Sequence, residues 1–136
     1  MEDTGKDIDI REIEPSVTFC HVSFRYGDEL EDAVNDISFK IEPGKTVAFV
    51  GSSGAGKSTC MNLLLRYWDV GRGDIMIGNK NLREISLDSL HNLTTVVLQD
   101  VYLFRESIRE NIRLGKPEAT DEEVEPQLRK LWPMIL

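Results

Sequence analysis

A chain of 136 residues with 40% hydrophobic and 29% charged side chains has the makeup of one folded domain around a single core. Its formal net charge of −8 excludes the basic face that a nucleic-acid backbone requires, so no nucleic-acid partner is expected. No apolar run approaches the roughly 18–20 residues of a membrane span. The acidic start Met1-Glu2-Asp3 carries no signal-peptide pattern, and Cys20 and Cys60 have no metal-ligand spacing; they read as reduced, partly buried thiols of a cytoplasmic protein.

In chain order, residues 1–14 are acidic with little apolar periodicity and predict a solvated linker. Val17 to Phe24 alternates apolar and polar residues and predicts a strand, broken by a turn at Tyr26-Gly27-Asp28-Glu29. Ile37, Phe39 and Ile41 alternate with Ser38 and Lys40 in a second strand, and Glu42-Pro43-Gly44 is a tight turn. Thr46-Val47-Ala48-Phe49-Val50 is apolar and rich in β-branched residues, which predicts a strand buried on both faces of a parallel sheet. A helix is expected over Cys60 to Trp68, with Cys60, Met61, Leu64, Tyr67 and Trp68 at helical spacing. After a break at Gly71-Arg72-Gly73, Asp74 to Ile77 reads as a short strand closed by Gly78-Asn79-Lys80-Asn81. Leu87, Leu90 and Leu93 give a short helix, and Thr95 to Leu98 another buried-type strand ending at Gln99. Ser107 to Leu114 suits a helix; Thr120 and Glu123 form a capping box for the next one. His21 and His91 read as surface or strand-edge residues.

Between the expected strand at 46–50 and the expected helix lies Gly51-Ser52-Ser53-Gly54-Ala55-Gly56-Lys57-Ser58-Thr59, which fits the phosphate-loop pattern G-x-x-x-x-G-K-[ST]. Strand, glycine loop, helix is the context in which that pattern works. A polyphosphate needs many donors in a small concave space. Loop N–H groups and the helix N-terminus supply them, and the glycines permit the backbone angles and the close approach. Lys57 would place an ammonium on the outer phosphates, Ser58 would offer Mg²⁺ a hard oxygen, and Thr59 would donate to an inner phosphate.

Further motifs fall in line with this one. Val22-Ser23-Phe24-Arg25-Tyr26, Ile37-Ser38-Phe39-Lys40-Ile41-Glu42-Pro43-Gly44, the phosphate loop, Gln99-Asp100-Val101-Tyr102-Leu103-Phe104 and Ile108-Arg109-Glu110-Asn111-Ile112 are collinear. Together they resemble the first part of an ATP-binding-cassette (ABC) nucleotide-binding domain, of the exporter type that follows a membrane domain. The resemblance implies an α/β fold in which a partial P-loop NTPase core, with parallel strands before Gly51 and Gln99, joins an antiparallel β subdomain from 17–24, 37–41 and 74–77. It implies ATP and Mg²⁺ as ligands, Tyr26 as the adenine-stacking aromatic, Lys57 and Gln99 as catalytic residues, and Ser58 and Gln99 as metal ligands. Residues 101–104 resemble the loop that meets the membrane domain. A transmembrane domain and a second nucleotide-binding domain are the implied partners of the full-length parent, at the cytoplasmic face of the plasma membrane.

The chain also departs from the family. Val70 stands where a proline is usual, and the helical subdomain, the signature segment, the Walker B strand with its acid, and the switch histidine are not found in it. The expected organisation is a linker at 1–14, the first part of an ATP-binding domain at 15–125, and an atypical tail at 126–136. Pro126 falls inside the capped helix, where it removes a hydrogen bond at a cost of about 3 kcal/mol. Permitted codons of the tail, read in a shifted frame, include a helix-forming run like the family's continuation. A frameshift after Glu125 is therefore the expected origin of the tail, with a vector-derived tail as the alternative. The expected function is the ATP-binding portion of an exporter ATPase, the isolated chain being inactive in hydrolysis. The alternatives are a non-catalytic nucleotide-binding fragment and another P-loop enzyme such as a small nucleotide kinase.

Overall fold

β1 (Val17–Phe24) is the strand on which the first half of the molecule is built. It pairs antiparallel with β2 (Val34–Ile41) on one side and β3 (Arg72–Ile77) on the other; β3 turns into the short β4 (Lys80–Asn81), so the sheet order is β2-β1-β3-β4. The register sets Phe19 opposite both Phe39 and Ile75, and the Phe19 and Phe39 rings stack at 4.4 Å. These observations come from a computed structural model that describes residues 5–9, 13–98, 100 and 102–131, in which the chain divides into two units, Met1–Thr95 and Val96–Leu136. The antiparallel subdomain expected at 17–24, 37–41 and 74–77 is present, with β2 beginning at Val34.

The β1–β2 ladder slips between Phe19 and Phe24, where His21 and Asp36 take left-handed backbone, φ 49° and 48°. Serine hydroxyls accept the displaced N–H groups: His21 donates to Ser38 Oγ at 2.8 Å and Asp36 to Ser23 Oγ at 2.9 Å. The exposed His21 ring lies 2.7 Å from the Asp36 carboxylate, so of the two expected placements it takes the surface one, on a strand paired on both sides.

α1 (Lys57–Leu64) lays Cys60 and Leu63 on the core with Phe19, Val22, Phe24, Val34, Ile75 and Ile77. Each such side chain fully withdrawn from water is worth about 1.5–3 kcal/mol. The helix ends four residues before Trp68, where the sequence put its end. Its last turn closes with Arg66 N–H to Leu63 O at 3.1 Å and Tyr67 N–H to Asn62 O at 2.9 Å, with Arg66 at φ 56°. That pattern usually carries glycine. Here the buried Arg66 guanidinium is tied to Ile85 O at 2.7 Å. A 3₁₀ turn (Leu82–Glu84) and α2 (Leu87–Leu93) complete this unit; Ser86 caps α2, its Oγ accepting from Ser89 N–H.

Two sequence expectations differ from what the described residues show. The described residues of the expected linker, 5–9 and 13–14, do not all lie in solvent. Lys6 bridges Ile85 in parallel, with Lys6 N–H to Glu84 O at 2.8 Å and Ser86 N–H to Lys6 O at 3.0 Å; Ile8 packs on the core and Ile13 is buried. The second difference concerns the parallel strands. No strand forms at 46–50 or at 95–98, and Val50 is 93% and Val97 89% exposed. Apolar, β-branched composition favours extended chain, but a strand exists only by its ladder, and neither stretch has one among the described residues.

In the second unit, α3 (Ile108–Arg113) is capped by Ser107, whose hydroxyl accepts from Glu110 N–H at 3.1 Å. The Asn111 amide holds the preceding loop, accepting from Phe104 N–H and donating to Phe104 O and Ser107 O. α4 (Asp121–Leu131) opens with the expected capping box: Glu123 N–H reaches Thr120 Oγ1 and Thr120 N–H reaches Glu123 Oε2 at 3.0 Å. Arg113 and Arg109 from α3 pair with Asp121, and Arg109 also with Glu125 at 3.1 Å. Pro126 lies inside α4, yet the helix continues to Leu131, so the tail at 126–131 extends the helix. Tyr102, Leu103 and Phe104 are exposed.

Candidate functional site: a phosphate cleft at the start of α1

The loop at 51–59 is irregular until Gly56, which sits in the left-handed region at φ 77° and acts as N-cap of α1. Only glycine fits there. A Cβ would meet the Ala33 carbonyl oxygen at 2.5 Å, so the loop lies directly against the residue that leads into β2. No side chain caps α1, and its first turn holds no acidic residue. Its leading N–H groups and the positive end of its dipole therefore remain for an anion. Lys57 folds back over the loop, its ammonium donating to Gly51 O at 2.9 Å and Ser52 O at 2.6 Å. Those bonds use two of the three ammonium donors and keep the charge on the loop's open side.

A cleft of about 450 Å³ opens over this turn, lined by Ser53, Gly54, Ala55, Gly56, Lys57, Ser58 and Thr59 on one wall and by Tyr26, Glu29, Glu31, Asp32 and Ala33 on the other. Gly51 and Ser52 contribute the carbonyls that hold Lys57. Ser58 is exposed on the first turn of α1, while Thr59 is buried and its Oγ1 accepts from the Tyr26 hydroxyl at 3.2 Å. Tyr26 both packs on the core and faces the cleft. Its ring meets Phe24 at 4.8 Å and Trp68 at 5.4 Å, each edge to face at 90°. Gln99, expected as a catalytic residue and metal ligand, lies outside the described residues.

The structure adds a wall that the motif did not reveal. Asp32, with only 15% of its side chain exposed, binds Arg25 Nε at 2.9 Å and Arg72 Nη2 at 3.3 Å. It thereby ties the loop after Tyr26 to the end of β1 and the start of β3. In the sequence, Tyr26-Gly27-Asp28-Glu29 reads as a turn and Asp32 has no role; the signal available was the pair of arginines flanking the strands, and no pattern assigns them to Asp32. The cleft's fit to a metal–nucleotide rests on the free N-terminus of α1, the ammonium of Lys57 and the hydroxyls of Ser58 and Thr59. Among the described residues, no group of three or more His, Cys, Asp or Glu could hold a metal ion. No helix of the described residues is long and apolar enough to cross a membrane.

Residues 34–132 match the family model described as ABC transporter. The chain is 46% identical over 113 residues to a Bacillus subtilis (strain 168) protein that carries the name multidrug export ATP-binding/permease protein YgaD, covering 83% of this chain and 20% of that one. It is 50% identical over 104 residues to a similarly named protein of Staphylococcus aureus (strain NCTC 8325 / PS 47), covering 76% of this chain and 18% of the relative. Among solved structures, a bacterial Atm1-family ABC exporter with ATP bound superposes with a TM-score of 0.79 at 35% identity, over 89% of this chain and 21% of that one. The chain thus spans about one fifth of the length of the relatives it matches. The family model covers well over half of this chain, and the chain belongs to the ABC transporter family.

Proposed function

We propose that this chain binds ATP–Mg²⁺ in the cleft over α1, as the nucleotide-binding part of a longer exporter whose ATP hydrolysis drives transport across the membrane. The observation that carries the reading is the open N-terminus of α1, with Lys57 held beside it and the Tyr26 ring on the opposite wall. The loop residues 51–59 would seat the phosphates, Ser58 and Gln99 would hold Mg²⁺, and Tyr26 would stack on the adenine. The cation would neutralise phosphate charge and orient the outer phosphate. Segments 46–50 and 95–98 would join a parallel P-loop core when paired with further strands of the longer protein. The exposed Tyr102-Leu103-Phe104 run suits contact with a transmembrane domain, and a second nucleotide-binding domain would close the site at the cytoplasmic membrane face.

The exposure of Val50 and Val97 favours one further reading, that the isolated chain binds nucleotide without turning it over. Calorimetry tests binding. Wild type should take up ATP–Mg²⁺, and Lys57→Ala, which removes a charge-assisted contact of about 1.5–3 kcal/mol, should weaken it about 10- to 150-fold. Equal affinity for both would defeat the proposal.

A further inference from the structure

We propose that the Tyr26 hydroxyl is a positioning group for the phosphates, acting through Thr59, so that one side chain serves both ends of the nucleotide. This rests on the nucleotide reading of the cleft. A stacking ring needs no hydroxyl, yet the Tyr26 O–H is placed 3.2 Å from Thr59 Oγ1 and donates to it. The recipient belongs to the first turn of α1, beside Lys57 and Ser58, and is only 7% exposed. The Tyr26 ring is held against rotation by two perpendicular contacts, with Phe24 at 4.8 Å and Trp68 at 5.4 Å.

The consequence follows from hydroxyl chemistry. A threonine hydroxyl has one proton and two acceptor sites. Occupying an acceptor site from the Tyr26 side fixes the rotor and reserves the proton for another acceptor. A phosphate oxygen seated on the α1 N-terminus is such an acceptor, and its negative charge strengthens the bond it receives. The chain tyrosine, threonine, phosphate is thus aligned before the ligand arrives, and the ordering cost of the Thr59 hydroxyl is already met.

The test uses the whole chain and a ligand with no base. Binding of magnesium tripolyphosphate and of ATP–Mg²⁺ is measured by calorimetry for wild type, Tyr26→Phe, Thr59→Val, Thr59→Ser and the double variant Tyr26→Phe/Thr59→Val. Tyr26→Phe should weaken tripolyphosphate about three- to tenfold, the worth of one hydrogen bond, although that ligand offers nothing to stack on. Thr59→Val should weaken it at least as much, and adding Tyr26→Phe to it should change nothing further. Thr59→Ser, which keeps the hydroxyl, should stay within about twofold of wild type. The proposal is overturned if Tyr26→Phe binds tripolyphosphate like wild type, or if the two losses add in the double variant. Those results differ from failure of the nucleotide reading, in which wild type binds neither ligand.

Discussion

Gly54 and Gly56 share a left-handed backbone, at φ 81° and 77°, but not their surroundings, and the pair separates conformational strain from steric contact. A Cβ added at Gly54 would meet nothing within 4 Å. Gly54→Ala should therefore lose only the cost of left-handed backbone for an L-residue, about 1–2 kcal/mol. At Gly56 the same methyl would stand 2.5 Å from Ala33 O and 3.1 Å from Val34 Cγ2. Val34 is buried in the sheet core, so the wall cannot retreat and the loop must. Overpacking of this kind adds about 1–3 kcal/mol, for a total of about 2–5 kcal/mol. Urea unfolding followed by tryptophan fluorescence measures this, the midpoint moving with stability at constant slope. Gly56→Ala should lower the midpoint about two to three times as far as Gly54→Ala, and should also abolish ATP–Mg²⁺ binding by lifting Lys57 away from its carbonyl anchors. Equal midpoint shifts for the two variants would refute the view that Ala33 braces the loop.

Asp32→Ala should weaken ATP–Mg²⁺ several-fold in calorimetry, because both arginines that fasten the cleft wall lose their shared carboxylate. Burial pushes the Cys60 thiol up from its ordinary range, whereas Cys20 is exposed; a thiol reagent should label Cys20 first, and Cys20→Ser should remove the fast phase. The Glu123 carboxyl is held below its ordinary value, first by the bond from Lys116 and then by Thr120 N–H. Its stabilising effect on α4 is therefore complete above the usual Glu value of about 4.3 and lost as pH falls through the lower folded value. Far-UV circular dichroism should show that loss on acidification, and Glu123→Gln should reduce it. A polypeptide of these 136 residues should release no phosphate at steady state, since phosphoryl transfer needs a positioned water as well as a phosphate seat. Turnover that disappears in Lys57→Ala would contradict this.

What was legible in the sequence is what neighbours in the chain decide. Ser107 and Thr120 were readable as helix starts because a cap and its recipient N–H lie within one turn. The glycine loop was readable because each of its residues serves the same short arc. The end of α1 was not, because Arg66 takes a glycine-like angle while its guanidinium is held by Ile85, far along the chain. The docking of Lys6, Asp7 and Ile8 on Ile85, Ser86 and Ser89 was hidden for the same reason. Asp32 belongs with these. Nothing local distinguishes it from Asp28 or Glu31, and its role comes from Arg72 across the sheet.

The same distinction explains how the cleft keeps its shape although 46–50 forms no strand. In sequence terms the phosphate loop hangs between that stretch and α1, and loss of the strand would leave one end unsupported. In the structure the support comes from elsewhere. Gly56 rests on Ala33, Tyr26 reaches Thr59, and Asp32 fastens the intervening loop to β1 and β3. Each contact joins the start of α1, or the wall facing it, to the antiparallel sheet, whose ladders are complete within residues 17–81. The placement of the loop therefore depends on the sheet and α1. A substitution in the exposed stretch, such as Val50→Thr, should leave the affinity for magnesium tripolyphosphate within about twofold of wild type, because Val50 is 93% exposed and surface changes of this kind cost little. Loss of tripolyphosphate binding in Val50→Thr, with Gly56→Ala still competent, would show instead that the stretch before Gly51 carries the loop.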